Sequence, residues 1–217
     1  MPYRPTERTR AHAAAVRERI VSAALDQLAE GGYASAPVAR IAERAGVATG
    51  TVYRHFPSKG DLFAEVFRRA SQREVDVLAR MGLASTAERL ARWVEAFVRR
   101  ALAAPVRAYA LIAEPVDPAV EAERLVFRRA YADLFAAALR EGVDRGEIKP
   151  LDPDLAASAI VGALAEALVG PLASRPVSPL RGSPPATPRS EANALVAGLQ
   201  SFVLSAVGAE EPARVDR

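Results

Sequence analysis

Half of the 217 residues are hydrophobic but only 6% are aromatic, so alanine carries much of the apolar content, which favours close-packed helices over a β-sandwich. The absence of cysteine excludes disulfides, thiol chemistry and cysteine–zinc sites, and the two histidines, His12 and His55, are too far apart for an HExxH metal pair, so no cofactor is expected. The net charge of +3 is uneven: residues 1–60 carry nine Lys or Arg against five Asp or Glu, the other 157 carry twenty against twenty-one, and the basic surplus therefore sits at one end.

Residues 1–11 hold Pro2, Arg4, Pro5, Arg8 and Arg10. They read as a loose basic arm, without the apolar core of a secretory signal. Spacing predicts a first helix over 13–30, with Ile20, Ala24, Leu25 and Leu28 facing inward. Gly31-Gly32 ends it, and Tyr33 packs beneath. Pro37 opens the next helix, where a missing N–H costs nothing.

Ile41, Ala42 and Ala45 keep helical spacing until Gly46, placed where a tight turn needs a left-handed backbone. A second run follows over 49–55. Ala42 is small enough to let the two helices cross closely, while Ile41, Val47 and Val52 fill the angle between them. This is a helix-turn-helix, whose second helix enters the DNA major groove. An ordinary buried hairpin would carry leucines where this one carries Thr49, Thr51, Tyr53, Arg54 and His55. Pro57 stops the run, and Ser58 caps a helix over 58–80 that begins with Lys59.

Hydroxyl, imidazole and ammonium donors suit phosphate oxygens, which assigns that contact to Thr51, Tyr53, His55 and Lys59. Thr49, Gly50 and Arg54 are the candidates for base edges, with Gly50 allowing close backbone approach. The basic surplus at this end fits the same partner, double-stranded DNA.

The helix over 58–80 carries Leu62, Phe63, Val66 and Phe67 as a stripe and reads as a rod from head to body. Further helices are predicted over 87–103, 106–113, 119–141, 153–168 and 191–207. Trp93, Phe97, Tyr109, Phe127, Tyr131 and Phe135 supply large apolar surfaces in this part. Together they suit an apolar pocket, and a small apolar or amphipathic effector is expected against Trp93, Phe97, Tyr109, Phe127 and Tyr131. Core packing alone is the plainer explanation of any one of them. Arg107, Glu114 and Glu166 are candidate polar fixers.

The run 155–169 contains Ser158 and Glu166 and reads as too short to cross a bilayer, so no membrane partner is expected. The helix 153–168 is apolar nearly all round, and the last helix bears Leu195, Leu199, Phe202 and Ala206. The two are expected to pair with a second copy as a homodimer. Six prolines between 170 and 190 read as a mobile loop, and 208–217 as a polar tail. No Gly-rich phosphate loop, nucleophile elbow or paired-acid motif is present, so no enzyme is expected.

Residues 20–67, with LAEGGY and VARIAERAGVATGTVYRHFPSKGDLF, resemble the DNA-binding domain of the tetracycline-repressor (TetR) family, and GEIKPLDPDLAASAI resembles its downstream part. Family members often have Ser or Thr where this chain has Ala48, and Thr49 is expected to act as the cap instead. The resemblance implies an all-α fold. Residues 1–67 would form a three-helix helix-turn-helix domain, and 68–217 a helical ligand-binding and dimerisation domain. It also implies backbone contacts by Tyr53 and Lys59, and a cytoplasmic repressor released from operator DNA by a small molecule. A ligand-independent architectural DNA binder and a protein-partner adaptor are the alternatives.

Overall fold

The computed structural model describes residues 6–81, 85–173 and 189–209. Among them are nine helices and no strand: α1 (Glu7–Gly31), α2 (Val38–Ala45), α3 (Thr49–His55), α4 (Lys59–Ala79), α5 (Thr86–Ala103), α6 (Pro105–Ile112), α7 (Pro118–Asp144), α8 (Pro153–Ala173) and α9 (Arg189–Val207).

Most helix ends follow from local chemistry. Thr6 accepts the Thr9 amide at 3.2 Å and starts α1 at Glu7, so Arg8 and Arg10 ride on a helix and not on the loose arm expected. Ser58 accepts the Asp61 amide at 3.0 Å to open α4, and Ser85 and Glu88 form a capping box on α5. Pro105 and Pro118 occupy the first turns of α6 and α7, where proline's fixed φ is preorganised. Helix α8 continues through Gly170 and Pro171 to Ala173, past the expected stop at 168. The remainder of the expected proline loop, 174–188, and residues 210–217 of the expected tail lie outside the described residues.

Two apolar clusters organise the packing. In the first, Ile20, Leu28, Ile41, Val52, Leu62, Phe63 and Phe67 join α1 to α4, and Ala110 of α6 and Val120 of α7 belong to it as well. The second holds Trp93, Val94, Phe135, Leu139, Leu164, Leu168 and Val203, from α5 and α7 to α9. Each fully buried side chain of this size contributes about 1.5–3 kcal/mol. Arg17 spans α1 and α4 with an ion pair to the buried Glu65 at 3.1 Å, and it lies 4.8 Å over the Phe56 ring that ends α3.

Two expectations for the last helices change. At 21 residues, with a mean hydropathy of 1.8 over its most apolar window, α8 is long and apolar enough to cross a bilayer, contrary to the shorter run expected. Its buried face (Ala157, Ile160, Leu164, Leu168 and Leu172) packs within the helical body. Leu199 was expected on the dimer face but is 8% exposed and belongs to the core, whereas Phe202 is 52% exposed. The 3.6-residue period puts Leu199 with Val196 and Val203 on the buried side, packed against the body, and sets Phe202 about 60° round the helix from Leu199, on the exposed flank.

Candidate nucleic-acid interface and effector cavity

Gly46 adopts φ 64° and ψ 41°, and a chain bend follows at once into α3. Because only Val52 of α3 is buried, the rest of the helix is presented outward. Thr49, Gly50, Arg54 and Tyr53 are exposed, and Thr51 and His55 are partly so. Arg54 donates to Thr51 Oγ1 at 2.8 Å, which lays its guanidinium along the helix. The cap of α3 is Ala48, and no side chain satisfies it, so Thr49 is the first helical residue and not the cap expected. A Cβ at Gly50 would meet nothing within 4 Å, so the fold itself does not require glycine there.

Lys59 stands apart from this set. Its Nζ donates to the Tyr33 carbonyl oxygen at 2.8 Å and sits 4.1 Å from the centre of the Tyr33 ring. Burial lowers its pKa, opposed by the charges of Asp117 and Glu114.

In the body, an apolar cavity of about 100 Å3 lies between α4, α5, α6, α7 and α8. Phe97, Phe127 and Tyr131 line it, together with Phe135, Leu111 and Leu164. Phe97 and Tyr131 meet edge to face with ring centres 5.8 Å apart. The Tyr131 hydroxyl makes no hydrogen bond among the described residues, and burial, then the nearby Glu74 carboxylate, raises its pKa. Arg107 also lines the cavity, without an ion pair among those residues.

Trp93 and Tyr109 lie outside the walls. The Trp93 indole donates to the Leu78 carbonyl at 2.9 Å and packs edge-on against Phe135, one ring away from the space. Tyr109 is partly buried against the body core. Glu114 also lies elsewhere, bonded to the amides of Tyr33 and Ala34. Glu166 lines a wider, more polar groove of about 600 Å3 that shares Ile112, Arg124, Arg128, Val161 and Ala165 with the cavity and adds Arg129.

Arg124 escaped the sequence reading. It is 9% exposed and sits on the α7 stripe of Val120, Phe127 and Phe135, where a charged residue at core spacing was the available signal. Burial lowers its pKa, against the opposing charge of Glu121. Among the described residues, no group of three or more His, Asp or Glu could hold a metal ion.

Comparison with known proteins fits this arrangement. Residues 20–66 match the family model described as bacterial regulatory proteins, tetR family, and residues 83–168 match the tetracyclin repressor-like C-terminal domain, together more than half of the chain. The fatty acid metabolism regulator protein of Bacillus subtilis (strain 168) is 29% identical over 156 residues, covering 68% of this chain and 79% of that protein. The HTH-type transcriptional repressor KstR of Rhodococcus jostii (strain RHA1) is 44% identical over 57 residues, 26% of this chain and 27% of that protein. The solved transcriptional regulator FadR from Bacillus subtilis, in complex with stearoyl-CoA, superposes with a TM-score of 0.68 at 24% identity, covering 88% of this chain and 97% of that one. With an outward-facing helix-turn-helix joined to a cavity-bearing helical body, the chain belongs to the tetR family of bacterial regulatory proteins and is a DNA-binding transcriptional regulator.

Proposed function

We propose that the protein is a homodimeric repressor that leaves its operator when an anion with an apolar chain enters the body. The observation that carries this reading is the apolar cavity around Phe97, Phe127 and Tyr131, which shares lining residues with a groove that holds Arg128 and Arg129. Apolar walls suit a hydrocarbon chain, and guanidinium groups suit a carboxylate or phosphate at its end. The relative crystallised with stearoyl-CoA supports that ligand class. A cavity of roughly 150 Å3 holds benzene. A space of about 100 Å3 therefore admits only part of a long chain until the surrounding helices separate. Differential affinity for the wider state is what shifts a two-state equilibrium.

In this reading residues 1–67 form the DNA-binding domain and 68–217 the regulatory one. Thr49, Gly50 and Arg54 face base edges, and Thr51, Tyr53, His55 and Lys59 face phosphates. The exposed Leu155 and Phe202 flank small residues such as Ala159, Gly162, Ala194, Gly198 and Ser201 on α8 and α9. Two copies of that face would form an isologous four-helix interface and place two α3 helices in successive major grooves about 34–36 Å apart. The activity proposed is binding, not catalysis, and the site of action is the cytoplasm, where operator DNA lies.

Native mass spectrometry of the purified dimer mixed with stearoyl-CoA tests the ligand class. A bound stearoyl-CoA that coenzyme A alone does not displace is expected. Equal binding of coenzyme A and stearoyl-CoA, or binding of neither, contradicts the assignment of the cavity to the chain.

A further inference from the structure

Glu114 and Asp117 lie in the turn between α6 and α7, yet their side chains bond to the DNA-binding head. The Glu114 carboxylate accepts the backbone N–H of Tyr33 at 2.8 Å and of Ala34 at 2.9 Å, in the turn after α1. Asp117 accepts the Tyr33 phenol. Close approach is built in at Gly32, which has φ 74° and where a Cβ would fall 2.8 Å from Glu114 Oε2. Beneath these bonds, Ala110 and Val120 are fully buried within the apolar cluster of the head. The α6–α7 turn is thus packed into the head as well as hydrogen-bonded to it.

Arg124 ties the same turn to the cavity. It donates to the carbonyls of Ala110 at 3.0 Å and Leu111 at 3.1 Å, in the last turn of α6, and of Glu114 at 2.8 Å, in the turn that follows. Arg124 also lines both the cavity and the groove, and its guanidinium carbon lies 5.9 Å from the centre of the Phe67 ring on α4.

We infer that the α6–α7 turn is a latch on the DNA-binding head, closed by Glu114 and Asp117 on Tyr33 and controlled from the cavity by Arg124. This rests on the effector reading given above. Arg124 Nη1 is also ion-paired to Glu121. An anionic group in the groove therefore competes with that carboxylate as well as with the three carbonyls, and a bidentate pair with a second anion can outweigh the bonds from a guanidinium to neutral carbonyl oxygens. Drawing Arg124 away frees the end of α6, and Glu114 leaves the Tyr33 and Ala34 amides. The head then turns independently of the body, and the two recognition helices lose their fixed spacing. Arg124, Glu114 and Asp117 are positioning residues in this account, because none touches DNA.

The test uses the full chain without ligand, as wild type and as Glu114→Ala/Asp117→Ala, with Glu114→Gln as a milder second variant. Hydrogen exchange at the Tyr33 and Ala34 amides should speed up by about tenfold, as expected for loss of a charged acceptor. Affinity for an operator selected from random duplexes should fall by about tenfold, within the usual range of coupling between sites. Affinity for an unrelated duplex should hold, since α3 is intact. Unchanged operator affinity despite faster exchange overturns the latch. So does an equal loss on both duplexes, which would make these residues structural supports only. If stearoyl-CoA leaves operator binding by the wild type unaffected while the variants lose it, the latch stands and the acyl-chain effector falls.

Discussion

Lys59 Nζ lies 2.8 Å from the Tyr33 carbonyl oxygen, so the residue assigned to a DNA phosphate also holds the turn after α1. An ammonium has three donors, and the bond to Tyr33 leaves two for a phosphate oxygen. Lys59→Ala should cost about 1 kcal/mol of stability, the worth of one hydrogen bond. It should also lower the slope of log affinity against log salt by about one unit. Urea unfolding and a salt series on one duplex separate the two effects. Lost stability with an unchanged slope would assign Lys59 to the head alone.

Gly50 has open space where a Cβ would stand and lies in the first turn of α3. Gly50→Ala should therefore leave the fold intact or stabilise it by about 0.5–1 kcal/mol, because alanine loses less backbone entropy in a helix. If the α3 backbone approaches the bases, the same methyl group should weaken operator binding tenfold or more, an order-of-magnitude expectation for lost close contact. A stabilised variant with wild-type operator affinity would remove Gly50 from the interface.

Tyr131 lines the cavity, and its hydroxyl has no hydrogen-bond partner among the described residues. Tyr131→Phe should change stability by less than about 1 kcal/mol, since no internal bond is lost. Affinity for stearoyl-CoA, measured by calorimetry, should fall by about five- to tenfold if the thioester carbonyl accepts from this phenol. Equal affinity in the variant would leave the Tyr131 ring as apolar wall only.

Phe202 and Leu199 should separate association from folding. Phe202→Glu places a charge on an exposed face and should give a helical monomer in analytical ultracentrifugation. Leu199→Glu buries an unpaired charge in the core, at a cost of several kcal/mol, and should lower the thermal midpoint. A Phe202→Glu protein that stays dimeric would contradict the proposed interface.

Local signals made the head legible in the sequence. Gly46 at the turn, Ser58 at the α4 cap and the short polar α3 each follow from interactions within a few residues. The cavity was less so. Helical periodicity separates buried from exposed faces, but it does not tell which buried face meets a void. Trp93 and Phe97 therefore read alike in sequence, although Phe97 lines the cavity and Trp93 packs against the Leu78 carbonyl. The bonds from Glu114 and Asp117 to Tyr33 cross more than eighty positions of chain, and no spacing rule connects such residues. Arg8 and Arg10 differ for a simpler reason: Pro2 and Pro5 suggest a loose arm, yet Thr6 caps α1 and puts both arginines in its first turn.

The central claim is that operator DNA and an apolar-chain anion stabilise different states of one dimer. Moving the population from 99:1 to 1:99 takes about 5.5 kcal/mol of preference between states. The direct measurement is fluorescence anisotropy of a labelled, selected operator titrated with the dimer, with and without saturating stearoyl-CoA. The account predicts weaker operator binding with stearoyl-CoA, no change with coenzyme A alone, and an equal loss of stearoyl-CoA affinity when operator is bound. Operator affinity that is identical with and without bound stearoyl-CoA would contradict it.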